Sequence, residues 1–324
     1  MRPAPKRTLR RLPQLEPRKD ALEKCVYCPK LCRSACPVSN AEPTETLTPW
    51  GKMSLAYFLA TESVEMAPAF AKPAWACTGC GACKAQCDHE NDVSATLLAA
   101  RAGLRQAGVA PPEATTALAR FEEHARELEA ATARIAPRRS SRNKLLLGCG
   151  YARSLPDESA DAIRVAEALL GPVELLDLCC GLPLLEAGDV TGFVRQREEI
   201  RRAVSGADRV VVLDPGCGGA LRRGHAHAGE PLPVKVELLV EVAHASLPRF
   251  DRAPGPARAV RYHDPCKLGR GLGIYEEPRA LLTRVLGVAP LEFPYARGGG
   301  ACAGGGGLLP QTMPEVARGI ASRR

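Results

Sequence analysis

The amino-acid sequence predicts an α+β protein made of two unlike parts, an α-helical N-terminal part rich in cysteine and an α/β C-terminal part. Two observations lead to this fold class. Residues 21–100 contain eight of the 14 cysteines of the 324-residue chain, set among short helical stretches. Beyond residue 143, short apolar segments alternate with helical patterns, which is the arrangement of α/β units around a parallel sheet.

The eight N-terminal cysteines form two groups of four. The first group reads Cys25-x2-Cys28-x3-Cys32-x3-Cys36-Pro37, and the second reads Cys77-x2-Cys80-x2-Cys83-x3-Cys87. The second spacing is the ferredoxin spacing, whereas the first group has one extra residue before its third cysteine. In such runs three close cysteines bind one [4Fe-4S] cluster, and the fourth reaches the other cluster.

This pattern predicts two [4Fe-4S] clusters. Cluster I is assigned to Cys25, Cys28, Cys32 and Cys87, and cluster II to Cys77, Cys80, Cys83 and Cys36. We expect Gly79 and Gly81 to take positive φ angles and so bring backbone N–H groups toward the sulfurs. His89, which lies two residues after Cys87, is expected to be a polar neighbour of cluster I. Zinc, which usually uses separated C-x2-C pairs, and disulfides, which belong to oxidising compartments, are the alternatives.

The C-terminal half places further cysteines after its predicted strands. The predicted strands are 144–147, 173–178, 209–213 and 257–263, and the predicted helices are 157–170, 189–205 and 234–244. Cys149, Cys179, Cys180, Cys217 and Cys266 follow the strands. Because ligands bind at the carboxyl ends of strands in open α/β sheets, we expect these cysteines to form one site. A weak repeat relates Cys149 and Cys179-Cys180-Gly181 to Cys266 and Cys302-Ala303-Gly304, which suggests two duplicated lobes.

Composition and charge limit the other interpretations. The net charge is +8, but the basic residues are spread along the chain and are accompanied by only 4% aromatic residues. This pattern indicates a solvated surface or docking to an acidic partner, and it argues against nucleic-acid binding. No apolar run approaches the length of about 18 residues that a membrane span needs. The basic N-terminus precedes no apolar segment of a secretory signal, so the expected location is the cytoplasm.

With these motifs in place, the chain resembles the cysteine-rich CCG-domain iron–sulfur proteins. The resemblance rests on the two four-cysteine groups, Cys179-Cys180-Gly181 and Tyr262-His263-Asp264-Pro265-Cys266, and it covers roughly residues 23–310. This family includes the iron–sulfur component of glycolate oxidase, the lactate-utilisation iron–sulfur protein and the cysteine-rich component of heterodisulfide reductase. The domains that it implies are a basic flexible tail (1–22), a two-cluster ferredoxin-type domain (23–100), a helical linker (101–143), a first CCG-type lobe (144–256) and a second, degenerate and truncated lobe (257–324).

The sequence departs from the family pattern in both lobes. Asp214 stands where a cysteine would complete C-x2-C with Cys217, and Ala303 replaces the second cysteine of the pair that begins at Cys302. Three interpretations of these C-terminal cysteines remain open: a third metal site, degenerate remnants or a redox-active thiol pair. The candidates for a third site, an iron–sulfur cluster or zinc, are Cys149, Cys179, Cys180, Cys217, Cys266 and Cys302.

The resemblance implies an electron-transfer protein. Electrons would pass from a flavin-dependent dehydrogenase of the 2-hydroxyacid type to a quinone or another acceptor, with contact to the inner face of a membrane made through the partner. The alternatives are a thiol–disulfide oxidoreductase similar to heterodisulfide reductase and a non-catalytic metal-binding or redox-sensing protein. No flavin or nicotinamide motif is visible in the sequence, so the chemistry on an organic substrate is assigned to a partner.

Overall fold

The computed structural model describes residues 9–137, 139–224, 227, 229–254 and 259–323. It confirms the α+β fold class. The α-helices of the described residues are α1 (Lys19–Val26), α2 (Pro37–Ala41), α3 (Pro49–Ala60), α4 (Pro68–Ala71), α5 (Ala82–Ala85), α6 (Val93–Gln106), α7 (Pro112–Ala119), α8 (Phe121–Ile135), α9 (Cys149–Ser154), α10 (Pro156–Leu170), α11 (Leu182–Ala187), α12 (Val190–Ala203), α13 (Pro215–Arg223), α14 (Leu239–Ala245), α15 (Gly269–Leu272), α16 (Glu276–Leu286), α17 (Leu309–Thr312) and α18 (Pro314–Ser322). The strands are β1 (Asn143–Leu146), β2 (Glu174–Leu175), β3 (Arg209–Val212), β4 (Lys235–Leu238), β5 (Arg261–Tyr262) and β6 (Leu291–Glu292).

The described chain divides into two compact units that do not follow the sequence order. The first unit comprises residues 9–119, 183–190 and 301–323. The second unit comprises the described residues of 120–182 and 191–300. Two segments of the C-terminal half therefore belong to the first unit. One follows Cys179-Cys180-Gly181 and the other includes Cys302-Ala303-Gly304, so they occupy equivalent positions in the two predicted lobes.

The core of the first unit begins earlier than the sequence predicted. Leu9, Leu12, Leu15 and Leu22 are buried against α3 and α6 residues. The prediction of a flexible tail over 1–22 is therefore wrong for residues 9–22, and residues 1–8 lie outside the described residues. The leucines are spaced three to seven residues apart, so they form one apolar face on the 3₁₀ helix Pro13–Arg18 and on α1. The basic residues between them made this apolar face hard to recognise in the sequence.

Two capped helices frame the cysteine groups. At the start of α3, the Thr48 hydroxyl accepts a hydrogen bond from the N–H of Gly51 at 3.0 Å. At the start of α6, the Asp92 carboxylate accepts one from the N–H of Ala95 at 3.0 Å. Side chains of this kind satisfy the donors that every helix start leaves without a backbone partner. Both helices are largely buried, so they provide a rigid support for the cysteine loops.

The second unit is built on a parallel sheet with strand order β2-β1-β3-β4. Alternating residues point to opposite faces, as the pleat of a strand requires. Leu146, Val210 and Val212 pack in one core, whereas Leu145 and Val211 pack in another. Helices cover a parallel sheet on both faces, which explains why these strands are apolar throughout.

The predicted limits of several elements need correction in this unit. The predicted strand 173–178 is reduced to Glu174–Leu175. Residues 235–238, within the predicted helix 234–244, form strand β4, which pairs with β3 in parallel; only Leu239–Ala245 is helical. The alternation of Lys235, Val236, Glu237 and Leu238 is the strand period that the helical interpretation overlooked. The predicted strand 257–263 is reduced to Arg261–Tyr262, with 257–258 outside the described residues, and its partner β6 has too few apolar residues to be recognised.

Candidate metal centres

The four predicted ligands of cluster I lie together in the first unit. Cys25 is buried near the end of α1. Burial, followed by the neighbouring thiols of Cys32, Cys87 and Cys28, raises the pKa of the Cys25 thiol to about 12. A group of thiols that disfavour one another's ionisation needs a cation between them before all can be thiolates. The grouping therefore fits a metal cluster.

Asn91 is a residue of this site that the sequence analysis missed. Its side-chain amide is buried and donates to the Sγ of Cys25 at 3.1 Å and to the backbone oxygen of Ala21 at 2.7 Å. Hydrogen bonds to cluster sulfurs are one of the determinants of reduction potential. His89, in contrast, is exposed, in agreement with its expected role as a polar neighbour.

The four predicted ligands of cluster II line one cavity. The cavity is lined by Cys36, Pro37, Val38, Pro49, Lys52, Cys77, Thr78, Cys80, Gly81, Cys83, Val93 and Ser94. Burial, and then the thiols of Cys77, Cys80 and Cys36, raise the pKa of the Cys83 thiol. The structure thus brings Cys36 from the first group to the three close cysteines of the second group.

Short helices connect the two ligand sets. The 3₁₀ helix Leu31–Ala35 contains Cys32 and ends directly before Cys36, and α5 contains Cys83 and ends two residues before Cys87. The thiol of Cys32 also contributes to the raised pKa of Cys83, and that of Cys36 to the raised pKa of Cys32. The two predicted clusters would therefore be neighbours within the first unit.

The loop that carries Cys77 and Cys80 has the predicted glycine geometry. Gly79 and Gly81 have φ angles of 65° and 71°, and the N–H of Gly79 donates to the Sγ of Cys77 at 3.5 Å. Positive φ is a conformation that glycine takes at little cost. The expectation that these glycines aim backbone donors at sulfur is confirmed for Gly79.

A buried arginine stabilises the same loop through hydrogen bonds to backbone oxygens. The guanidinium of Arg101, on α6, donates to the backbone oxygens of Ala74, Cys77 and Glu186 at 2.9 Å each and to that of Gly307 at 3.3 Å. A Cβ atom at Gly307 would lie 1.9 Å from the backbone oxygen of Cys77. The backbone at Gly307 therefore packs directly against the cysteine loop, and only glycine fits there.

Cys302 belongs to this first unit and not to the unit that contains the other C-terminal candidates. Its Sγ lies 3.5 Å from the hydroxyl of Thr78 and 3.3 Å from the N–H of Gly304, and its side chain hydrogen-bonds with that of Cys80. Cys302 therefore neighbours a predicted ligand of cluster II. The sequence analysis placed Cys302 with Cys266 because both belong to the second copy of the repeat. A repeat does not show against which part of the protein the last segment of each copy packs.

The second unit brings together four other cysteines. Cys149 contacts Cys179, Cys179 contacts Cys180, and Cys180 contacts Cys217. Cys179 packs in the same core as Cys149, whereas Cys180 packs with Cys217 in the other core. Cys179 and Cys180 therefore connect the cores on the two faces of the sheet. The four thiols form a continuous series of contacts from Cys149 to Cys217.

His124 joins this series from α8, and the sequence analysis did not identify it. A ring nitrogen of His124 and the sulfurs of Cys149 and Cys179 all lie within 4.8 Å of one another. The contact with Cys179 and burial raise the pKa of the Cys149 thiol, while His124 opposes that shift. Arg153 lies 2.7 Å from Nδ1 of His124, and the buried Nε2 has no hydrogen-bond partner among the described residues. A lone histidine in a charged amphipathic helix gave no signal in the sequence.

The remaining predicted site residues lie outside the group formed by His124, Cys149 and Cys179. The Asp214 carboxylate, at the position of the missing cysteine, accepts a hydrogen bond from the N–H of Cys217 at 2.8 Å and so caps α13. Cys266 is half-buried in the second unit, close to Asp264, which forms a bidentate pair with Arg279 at 2.8 Å. His263 packs edge-on against Phe293.

The comparisons with known proteins agree with this arrangement. The 4Fe-4S dicluster domain family matches residues 21–91, and the family described as a cysteine-rich domain, CCG, matches residues 144–222 and 260–324. The first match contains all eight predicted cluster ligands. The chain therefore contains a 4Fe-4S dicluster domain followed by a CCG cysteine-rich domain. Both matches support the binding of iron–sulfur clusters.

Several curated proteins are similar to this chain. One of the subunits of fumarate reductase (CoM/CoB) from Methanothermobacter marburgensis is 27% identical over 94% of this chain and 63% of its own length. One of the subunits of dihydromethanophenazine:CoB–CoM heterodisulfide reductase from Methanosarcina mazei is 30% identical over 56% of this chain and 44% of its own length. Lactate utilization protein A of Geobacillus kaustophilus is 27% identical over 43% of this chain and 60% of its own length.

The chain spans less than two thirds of the length of each of these relatives. No solved structure matches it. Among the described residues, none of the helices has both the length and the apolar character needed to cross a membrane.

Proposed function

We propose that this protein transfers electrons through two [4Fe-4S] clusters. Cluster I is bound by Cys25, Cys28, Cys32 and Cys87, and cluster II by Cys36, Cys77, Cys80 and Cys83. The observation that carries the proposal is the grouping of these eight cysteines into two neighbouring sets, with Cys36 and Cys87 exchanged between the two sequence groups. This exchange is the ligand pattern of two-cluster ferredoxins.

The exposure of the two sites suits a relay. Cys28, Cys32 and Cys87 are half-buried, and the residues beside them include exposed Tyr27 and Leu31. An exposed apolar patch on a soluble surface is typical of a protein interaction site. Cluster I is therefore assigned to electron exchange with a partner, whereas cluster II lies in the more enclosed cavity.

The partner proposed is a flavin-dependent dehydrogenase, with a quinone or another acceptor beyond. Two of the relatives are subunits of reductases by name, which supports a chain that works with other subunits. The features recognised among the described residues are cysteine ligands, so the organic chemistry is assigned to the partner.

A third metal site is proposed in the second unit at Cys149, Cys179, Cys180 and Cys217, with His124 as a further candidate ligand. In a tetrahedral site with Zn–S bonds of about 2.3 Å and Zn–N bonds of about 2.0 Å, the ligand atoms lie about 3.5–3.8 Å apart. The His124, Cys149 and Cys179 atoms all lie within 4.8 Å of one another, so zinc binding would draw them closer by at most about 1 Å. A mixed nitrogen and sulfur set favours zinc over a cubane cluster.

The decisive experiment is a ligand-exchange test on anaerobically purified protein. Cys36→Ala and Cys77→Ala should remove the same cluster, and Cys87→Ala and Cys28→Ala the other, as seen in reduced-state EPR spectra and in iron and sulfide content. Cys266→Ala, in the second unit, is the matched control and should retain both signals. If Cys36→Ala removed the same signal as Cys28→Ala, or if the wild type held zinc without labile sulfide, the assignment would be wrong.

A second candidate function is thiol–disulfide reduction in the second unit. The series of thiols from Cys149 to Cys217 favours it, because adjacent thiols can exchange a disulfide. Two samples of the metal-loaded protein separate the two candidates, one oxidised mildly and one left untreated. The metal is then removed from both samples, and their free thiols are titrated. A reversible disulfide in the metal-loaded protein would support reduction chemistry, and its absence would favour a metal site.

A further inference from the structure

Lys52 is buried beside the predicted cluster II, and its position requires a negative charge there. The side chain lies in α3 and is 2% exposed. Its Nζ donates to the Sγ of Cys36 at 3.4 Å, and it lines the cavity that also contains Cys77, Cys80 and Cys83. Among the described residues, no carboxylate forms an ion pair with it.

An unpaired ammonium group in a protein interior is strongly unfavourable. Four cysteine thiolates outweigh the positive charge of a cubane core, so an assembled cluster is an anion. Lys52 is therefore stabilised by the loaded cluster, and the loaded cluster is stabilised by Lys52. The Lys52 charge also favours the thiolate of Cys77, which shows that its field reaches a second ligand of the same set.

The predicted cluster I has a different neighbour. Asn91 is buried and donates a neutral amide N–H to the Sγ of Cys25 at 3.1 Å. Hydrogen bonds from ionised donors are roughly twice as strong as those between neutral groups. The lysines nearest in the sequence to the cluster I ligands are Lys24, which is exposed, and Lys30, which pairs with Glu45 at 3.7 Å. Their charges are screened by water and salt.

We propose that Lys52 gives cluster II the higher reduction potential of the two clusters. Cluster I, whose neighbour is the neutral side chain of Asn91, then has the lower potential. This inference rests on the proposed two-cluster function. One-electron reduction adds a negative charge and breaks no bond, so a fixed buried cation stabilises the reduced form more than the oxidised form. An electron delivered to cluster I by the reduced dehydrogenase partner would pass to cluster II: cluster I is reoxidised, cluster II is reduced, and no proton needs to move.

The test is an EPR-monitored redox titration of the full-length, cluster-loaded protein. Lys52→Met keeps the length of the side chain and removes its charge, so it should move the higher of the two potentials to a more negative value and leave the lower in place. Lys52→Arg should restore most of the shift, because the charge returns. Lys84→Met, which removes an exposed lysine close to the same clusters, should move neither potential appreciably.

Asn91→Leu provides a second arm that does not depend on Lys52. Loss of its donor should shift the lower potential and leave the higher one unchanged. Unchanged potentials in fully loaded Lys52→Met, or a shift of the same potential by Lys52→Met and Asn91→Leu, would overturn the inference. Absence of clusters from the wild type, shown by iron and sulfide analysis, would instead refute the proposed function.

Discussion

The Sγ of Cys302 lies 3.5 Å from the hydroxyl oxygen of Thr78, although 224 residues separate them in the chain. Thr78 is buried between the predicted cluster ligands Cys77 and Cys80. A cysteine that the family pattern places in the second lobe therefore contacts the cysteine loop of the ferredoxin-type domain.

This contact predicts a specific phenotype for Cys302→Ala. The four thiols of Cys36, Cys77, Cys80 and Cys83 already complete a cubane, so iron and sulfide content should be unchanged. Loss of the hydrogen bond with Cys80 should alter the EPR signal of one cluster, since hydrogen bonds to sulfur influence the cluster's electronic properties. Cys302→Ser, which retains a donor, should alter that signal less. Loss of half the iron in both variants would show that Cys302 is itself a ligand.

Arg101→Met should destabilise the first unit and its second cluster. The substitution removes the donors to four backbone oxygens, those of Ala74, Cys77, Glu186 and Gly307. Each buried polar group left without a partner costs about 1–3 kcal/mol, so for four oxygens we expect a loss of at least about 4 kcal/mol. Denaturant unfolding, followed by the loss of cluster absorbance, measures the effect. Arg105→Met on the same helix is the control, and an equal effect there would contradict this role for Arg101.

His124→Ala should weaken metal retention in the second unit. If the His124 nitrogen completes the group with Cys149 and Cys179, its loss should lower the zinc content at a fixed chelator concentration, while the N-terminal EPR signals persist. His244→Ala replaces an exposed histidine of α14 in the same unit and should retain the metal. Equal retention by His124→Ala and the wild type would remove His124 from the ligand set and leave the cysteines alone.

Arg279→Met should destabilise the second unit at all pH values near neutrality. The guanidinium binds both carboxylate oxygens of Asp264 at 2.8 Å and also pairs with Glu292 at 2.6 Å. Removing one partner of a buried pair costs about 3–5 kcal/mol. Burial alone would raise the pKa of Asp264, but the bonds from Arg279 and from the N–H of Arg297 outweigh it and lower that pKa.

The lowered pKa sets the pH window of this effect. A carboxylate with a depressed folded-state pKa contributes stability above its unfolded pKa, about 3.9 for aspartate, and loses that contribution as the pH falls through the folded value. The difference in unfolding free energy between the wild type and Arg279→Met should therefore be the same at pH 6 and pH 8. A difference that vanished between those two values would contradict an ionised pair. Arg284→Met, on the exposed side of α16, should have a smaller effect.

The sequence predicted the chemistry of the first unit because ligand spacing is a local property. Three cysteines within a short loop can bind one cluster whatever the rest of the chain does, so Cys77, Cys80 and Cys83 were identifiable without tertiary information. The alternation of apolar segments and helical patterns was also sufficient for the parallel sheet, since each strand is continuous in sequence.

The residues that contact the predicted ligands could not be identified from the sequence, because their roles depend on contacts between distant segments. Lys52, Asn91 and Arg101 act on cysteines that are 16, 66 and 24 residues away, and each occurs in a segment whose local pattern is an ordinary helix or turn. Their roles depend on burial and on which loop packs above them. The basic residues around Leu12 and Leu15 likewise concealed a packed segment, because charge composition describes the surface of a segment and not its buried face.

The packing of α18 has a consequence for the order of events during synthesis. Val316, Ala317 and Ile320 form a small core with Cys36 and Val38. The ribosome releases Cys36 long before it releases these residues, so a nascent chain can present all eight N-terminal cysteines while the wall around Cys36 is still missing. Cluster insertion into the second cavity would then precede its enclosure, and a chain arrested before α18 would expose that cluster to oxygen. Translation itself would thus provide the interval in which the assembly machinery has access to the site.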